Sequence, residues 1–127
     1  MNDISHPQQD SENPNPADSI DLDAFNTMRS NVGDVFTQIV IAFNASAADV
    51  IEKLLYWDDT RTAEELIRYP HSLKSISANV GAMRLSQLAA DCEKLATSGD
   101  KDRALSMANT LNKEYENVKK RLIELGY

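Results

Sequence analysis

His71-Ser-Leu-Lys-Ser-Ile-Ser-Ala-Asn-Val-Gly-Ala82 is a helix followed by its own stop signal. Leu73, Ile76 and Val80 recur three and four residues apart, the period of one helical face. Asn79 and Gly81 then supply residues that tolerate a left-handed backbone, so the helix should end near Asn79. With His71 set to zero at about 100° per residue, Leu66, Tyr69, Leu73, Ile76 and Val80 fall between about 140° and 220° and form the buried stripe. Ile67, Lys74, Ser75 and Ala78 fall on the opposite side, around the histidine. His71 is therefore expected in solvent, with a lysine one turn later.

The flanking segments carry the same period. Upstream, Thr62 and Glu65 form a capping box that opens this helix, after a polar turn at 57–60. Before that turn, an Asp34 N-cap starts a long helix with Phe36, Ile39, Val40, Phe43, Ala47, Val50, Ile51, Leu54 and Leu55 in its stripe. A short helix over 21–30 precedes it, with Leu22, Phe25 and Met28 inward and Gly33 in the following turn. Downstream, a helix over 82–97 buries Leu85, Leu88, Ala89, Cys92 and Leu95. Ser98, Gly99 and Asp100 make a tight connection to a last helix over 101–125, which buries Leu105, Ala108, Leu111, Tyr115, Val118 and Leu122. Short connections make neighbours antiparallel. The expected fold is all-α, an antiparallel up-and-down four-helix bundle with a short extra N-terminal helix.

Composition agrees with one domain of this kind. The 127 residues are 42% hydrophobic and 26% charged, enough for one core. Residues 1–19 are polar and hold Pro7, Pro14 and Pro16, which reads as a disordered tail ahead of a domain over 20–127; His6 lies in that tail, solvated. The formal charge is -7, of which Asp3, Asp10, Glu12 and Asp18 supply four units in residues 1–20, leaving -3 for the remainder. Without a basic footprint, nucleic acid is an unfavoured partner. No signal peptide is apparent and no apolar run looks long enough to span a bilayer, so a soluble, cytoplasmic protein is expected. Cys92, the one cysteine, is expected to be a small core residue.

The surroundings of His71 suit a partner that approaches closely with a phosphoryl group. Lys74 can neutralise phosphate oxygens as a point charge. Ser75 and Ala78 are small enough to leave room for a partner surface, and an exposed Ile67 could anchor it. An imidazole whose other nitrogen is held by a hydrogen bond offers Nε2 as a nucleophile. A hairpin turning near Val80 and Gly81 brings His71 level with 91–93, where Glu93 could orient the Nδ1 proton, or be solvated, or pair with Lys74. Pro70 is the odd residue. It either kinks the helix at 66–69 or opens a new helix at its first position; the unbroken phase of the stripe from Leu66 to Leu73 favours the kink.

These residues resemble the signature of histidine-containing phosphotransfer (HPt) domains of two-component phosphorelays. The resemblance is carried by His71-Ser-Leu73-Lys74-Ser75, by Ala78-Asn79-Val80-Gly81-Ala82, by Arg84-Leu85 and Cys92-Glu93, and upstream by Leu22-Asp23, Phe25, Met28-Arg29, Gly33, Phe36, Ile39-Val40 and Phe43. It covers about residues 20–125 and implies the same bundle. It further implies a carrier, without ATP-dependent kinase activity, that accepts a phosphoryl group on His71 from a receiver-domain aspartate and passes it to another. Lys74 would be its electrostatic support and Glu93 the group near the imidazole, while Ile67, Arg68, Ser75, Ala78 and Arg84 would form the receiver-docking surface. The implied partners are response-regulator receiver domains and a hybrid sensor histidine kinase. No cofactor or metal of its own is implied, the receiver supplying Mg²⁺. Ser75 departs from the family's usual glycine.

A stand-alone monomeric carrier is the expected form, since the chain begins with methionine and ends just after the last helix. A module cut from a hybrid kinase is less favoured. A non-phosphorylated adaptor that inhibits a receiver or kinase is the alternative, opposed by the retention of both His71 and Lys74. A kinase dimerisation hairpin is opposed by Ser72, where an acidic residue is typical.

Overall fold

The computed structural model describes residues 16–127. Six α-helices follow a 3-10 turn at Pro16–Ser19: α1 (Leu22–Val32), α2 (Phe36–Leu55), α3 (Ala63–Asn79), α4 (Met83–Thr97), α5 (Lys101–Ser106) and α6 (Ala108–Glu124); among the described residues there is no strand. Helices α2, α3, α4 and α6 form the bundle. Helix α3 packs on α2 and α4, and α6 closes the ring by packing on the same two, so α3 and α6 lie diagonally opposite.

Each long helix contributes the stripe its sequence period calls for. Phe36, Val40, Phe43, Ala47, Ile51 and Leu54 of α2 meet Leu66, Tyr69 and Leu73 of α3, Leu85, Ala89 and Cys92 of α4, and Leu111, Tyr115, Val118 and Leu122 of α6 in one core. At the end of the bundle where α1 caps it, Phe25, Phe36 and Tyr127 stack edge to face, with centroids 5.1 to 5.9 Å apart. Burial pushes the Cys92 thiol up to about 11, so this side chain is an un-ionised core residue.

Several boundaries differ from the sequence expectation. Most of the proposed tail lies outside the described residues, but Pro16–Ser19 is a 3-10 turn packed on α6, and Ser19 and Ile20 are buried. Asp21 rather than a more distant residue caps α1, its carboxylate accepting from the Ala24 amide at 3.1 Å, and this places Leu22 outward. Asp34 does not cap α2. It sits in a 3-10 turn, Gly33–Val35, and Val35 already has helical dihedrals, so no extended residue is present whose side chain could fold back on the amides. The last helix is two: a turn at Met107, whose amide bonds the Ala104 carbonyl three residues back, separates α5 from α6. That turn has no glycine or proline to announce it. Ile76, Leu88, Leu95 and Leu105 are only partly buried, while Ser77, Ser86 and Ala104 take fully or nearly buried positions beside them.

Contrary to the expectation from apolar runs, residues Leu22–Leu55 are together long and apolar enough to cross a membrane by length and composition. Two observations assign the stretch to the bundle. It is interrupted at Gly33, and its apolar stripe is buried against the neighbouring helices.

Candidate functional site

The start of α3 is fixed locally. Thr62 Oγ1 accepts from the Glu65 amide at 3.1 Å and Glu65 Oε1 accepts from the Thr62 amide at 2.9 Å, the reciprocal capping box that the sequence predicted. The second Glu65 oxygen accepts from the Tyr69 hydroxyl at 3.0 Å, and that hydroxyl accepts from Arg61 at 2.7 Å. The Thr62 amide and then the Tyr69 hydroxyl hold the Glu65 carboxyl below the usual carboxylate range. Sequence periodicity placed Tyr69 in the stripe but gave no sign of this network.

Helix α3 then runs unbroken through Pro70, which rules out a new helix beginning there. Pro70 is fully buried, so its ring packs in the interior while its missing amide leaves the Leu66 carbonyl without the usual donor. Proline is about 3 kcal/mol worse than alanine in a helix interior, and losing the buried ring costs roughly 1 to 2 kcal/mol. Pro70→Ala is therefore expected to stabilise the fold by about 1 kcal/mol, read as a rise in the urea midpoint. A lower midpoint would show that ring packing outweighs the helix penalty.

One residue later the chain returns to solvent. The His71 side chain is 57% exposed, and its Nδ1 lies 2.8 Å from Glu93 Oε2 of α4. A carboxylate only accepts, so in the neutral ring the proton sits on Nδ1 and Nε2 keeps its lone pair. Lys74 Nζ donates to the other oxygen, Glu93 Oε1, also at 2.8 Å. One carboxylate thus bridges histidine and lysine, and two of the three uses open to Glu93 from sequence occur together. Lys74 first, and His71 after it, hold the Glu93 carboxyl below the usual range against the opposing effect of burial. The stability this bridge adds is present above the ordinary carboxylate pKa and is lost as pH falls through the lowered one.

The α3–α4 register that makes this bridge has its own fastening. Ser86 Oγ donates to the Lys74 carbonyl at 2.9 Å, and the Gly81 turn follows α3 directly. The role of Ser86 was not foreseen; its small polar side chain on a buried helix face is the one signal it offered.

The residues expected around the histidine divide into two groups. Ser75 and Arg68 are exposed, and Ala78 is half-buried beside them. Ile67 is half-buried against the core rather than free. Arg84 points elsewhere. Its guanidinium lies 3.5 Å from Glu114 of α6, whose side chain is only 2% exposed, so it offsets a buried negative charge between two helices. Among the described residues no group of three or more His, Cys, Asp or Glu is placed to hold a metal ion.

The family model described as the Hpt domain matches residues 36–121. Among solved structures, the histidine-containing phosphotransfer protein ZmHP2 from maize is similar with a TM-score of 0.71, at 19% identity, over 84% of this chain and 81% of that chain. At that identity the likeness speaks to the fold. No curated protein sequence matches the chain.

Proposed function

Because the chain belongs to the Hpt domain family, whose work is histidine phosphotransfer in two-component signalling, we propose that His71 is the residue that carries the phosphoryl group. The observation that carries this reading is an exposed imidazole whose Nδ1 is engaged by Glu93, leaving Nε2 facing solvent as the nucleophile. Nε2 attacks the phosphorus of a receiver-domain aspartyl phosphate, and the carboxylate leaves. Transfer to a second receiver reverses these steps. Lys74 supplies the cation for the phosphoryl oxygens, and the receiver brings the Mg²⁺ that neutralises the rest of the charge.

Arg68, Ser75, Ala78 and the accessible part of Ile67 surround the nucleophile, and we assign them to the docking surface. Arg84 is left out of that set because of its pairing with Glu114. The donors and acceptors are response-regulator receivers and a hybrid sensor kinase, the carrier acts without ATP, and its place is the cytoplasm.

The test is incubation of the protein with phosphorylated receivers. The expected product is an acid-labile, alkali-stable label that maps to His71. Label absent with every receiver of the source organism would defeat the assignment. Lys74→Ala is expected to slow transfer about tenfold, the scale of one charge-assisted contact to phosphate, as measured by the initial rate of labelling; an unchanged rate would remove Lys74 from the site.

A further inference from the structure

Glu93 touches both working groups of the site, and the two contacts do different things. Oε2 accepts from His71 Nδ1 and Oε1 accepts from Lys74 Nζ, each at 2.8 Å, while the Glu93 side chain is 20% exposed. Resting on the reading that His71 is the phosphorylated residue, we propose that the charge of Glu93 sets how strong a phosphoryl donor that residue becomes. The hydrogen bond alone would merely orient the ring.

When the Nε2 lone pair forms the N–P bond, the P–O bond to the receiver aspartate breaks and its electron pair leaves on the carboxylate oxygen. The Nδ1 proton stays where it is, so the ring becomes an imidazolium. A carboxylate 2.8 Å from Nδ1 keeps that proton on the ring throughout the lifetime of the N–P bond. In the onward step the N–P pair returns to Nε2 and quenches the ring charge, which makes the protonated ring the better leaving group. The second oxygen acts in the same direction. By holding Lys74, Glu93 competes with the phosphoryl group for the ammonium, and the phosphorylated state is stabilised less than it would be by a free lysine. Both contacts keep the phosphorylated histidine labile and ready to transfer.

An isosteric amide separates charge from shape. Glu93→Gln retains an oxygen that can accept from Nδ1, but it neither favours the imidazolium as strongly nor holds the ammonium. With potassium phosphoramidate as the small-molecule donor, the wild-type protein is labelled on His71 and the label is followed at pH 7 after the donor is removed. The expected result is a label about threefold to tenfold longer-lived in Glu93→Gln, the range for one charged hydrogen bond at a partly exposed site. Glu93→Asp, which restores the charge, should return the lifetime toward wild type. Damage to a merely structural residue would leave the lifetime unchanged or shorten it, and either outcome overturns the proposal. Failure to label wild-type His71 at all would instead strike the assignment of the phosphorylated residue, so the two failures are distinct.

Discussion

Replacing His71 with glutamine is expected to eliminate the acid-labile label entirely while leaving thermal unfolding within about 2 °C of wild type. The label is lost because an amide has no lone pair nucleophilic enough to take a phosphoryl group from an acyl phosphate. Stability is kept because the imidazole is 57% exposed and its hydrogen bond to Glu93 can be remade by the glutamine amide. Activity and fold are thereby separated in one variant. The chain has only one other histidine, His6. Label persisting in the variant and mapping there, or anywhere else, would remove His71 from its assigned role.

The largest stability effect is expected at Gly81, through the meeting of three segments. Its carbonyl accepts from the Asp21 amide at 2.8 Å, and its φ is +78°. A Cβ at this position would lie 2.9 Å from the Phe25 nitrogen and 3.0 Å from the Asp21 carbonyl oxygen, both backbone atoms that cannot rotate away. Gly81→Ala therefore combines the cost of a left-handed backbone, about 1 to 2 kcal/mol, with overpacking against α1, about 1 to 3 kcal/mol. A loss of about 3 kcal/mol in chemical denaturation is expected. Gly99 is the control. Its φ is +85° but nothing lies within 4 Å of its would-be Cβ, so Gly99→Ala should lose only about 1 to 2 kcal/mol. Equal losses in the two variants would show that the approach of α1 does not fix the residue at position 81.

Much of the fold was readable because its signals are local. The 3.6-residue period of Leu66, Tyr69 and Leu73, the Thr62–Glu65 capping box and the glycine beyond Asn79 each act within a few residues of chain, and each occurs in the structure where expected. The errors have the same origin in reverse. Asp34 has the composition of a cap but not its dihedrals, because Val35 is already helical when the chain reaches it. The break at Met107 depends on backbone torsion rather than on a residue type, so nothing in the side chains marked it.

Within the site the division is equally physical. The exposure of His71 and its one-turn spacing from Lys74 are consequences of a single helix, and a wheel drawn on the sequence contains them. The choice made by Glu93 is not of that kind. Whether its carboxylate meets the imidazole, the ammonium or water depends on how α4 is rotated and slid along α3, and that is settled by Ser86 reaching the Lys74 carbonyl and by the packing of both helices on the core. Arg84 is the counterpart: its charge was legible, but only the placement of α6 directs it to Glu114.

The sequence by itself determined an all-α chain with its helical stripes, the turn at Gly81 and an exposed histidine beside a lysine, since each of these follows from the spacing of residues along one backbone. Only the tertiary structure decided that one carboxylate serves both of those groups, that α1 closes on Gly81, and that Arg84 turns inward. Those contacts join helices distant in sequence, and their geometry depends on a relative register that hydrophobic period leaves undetermined.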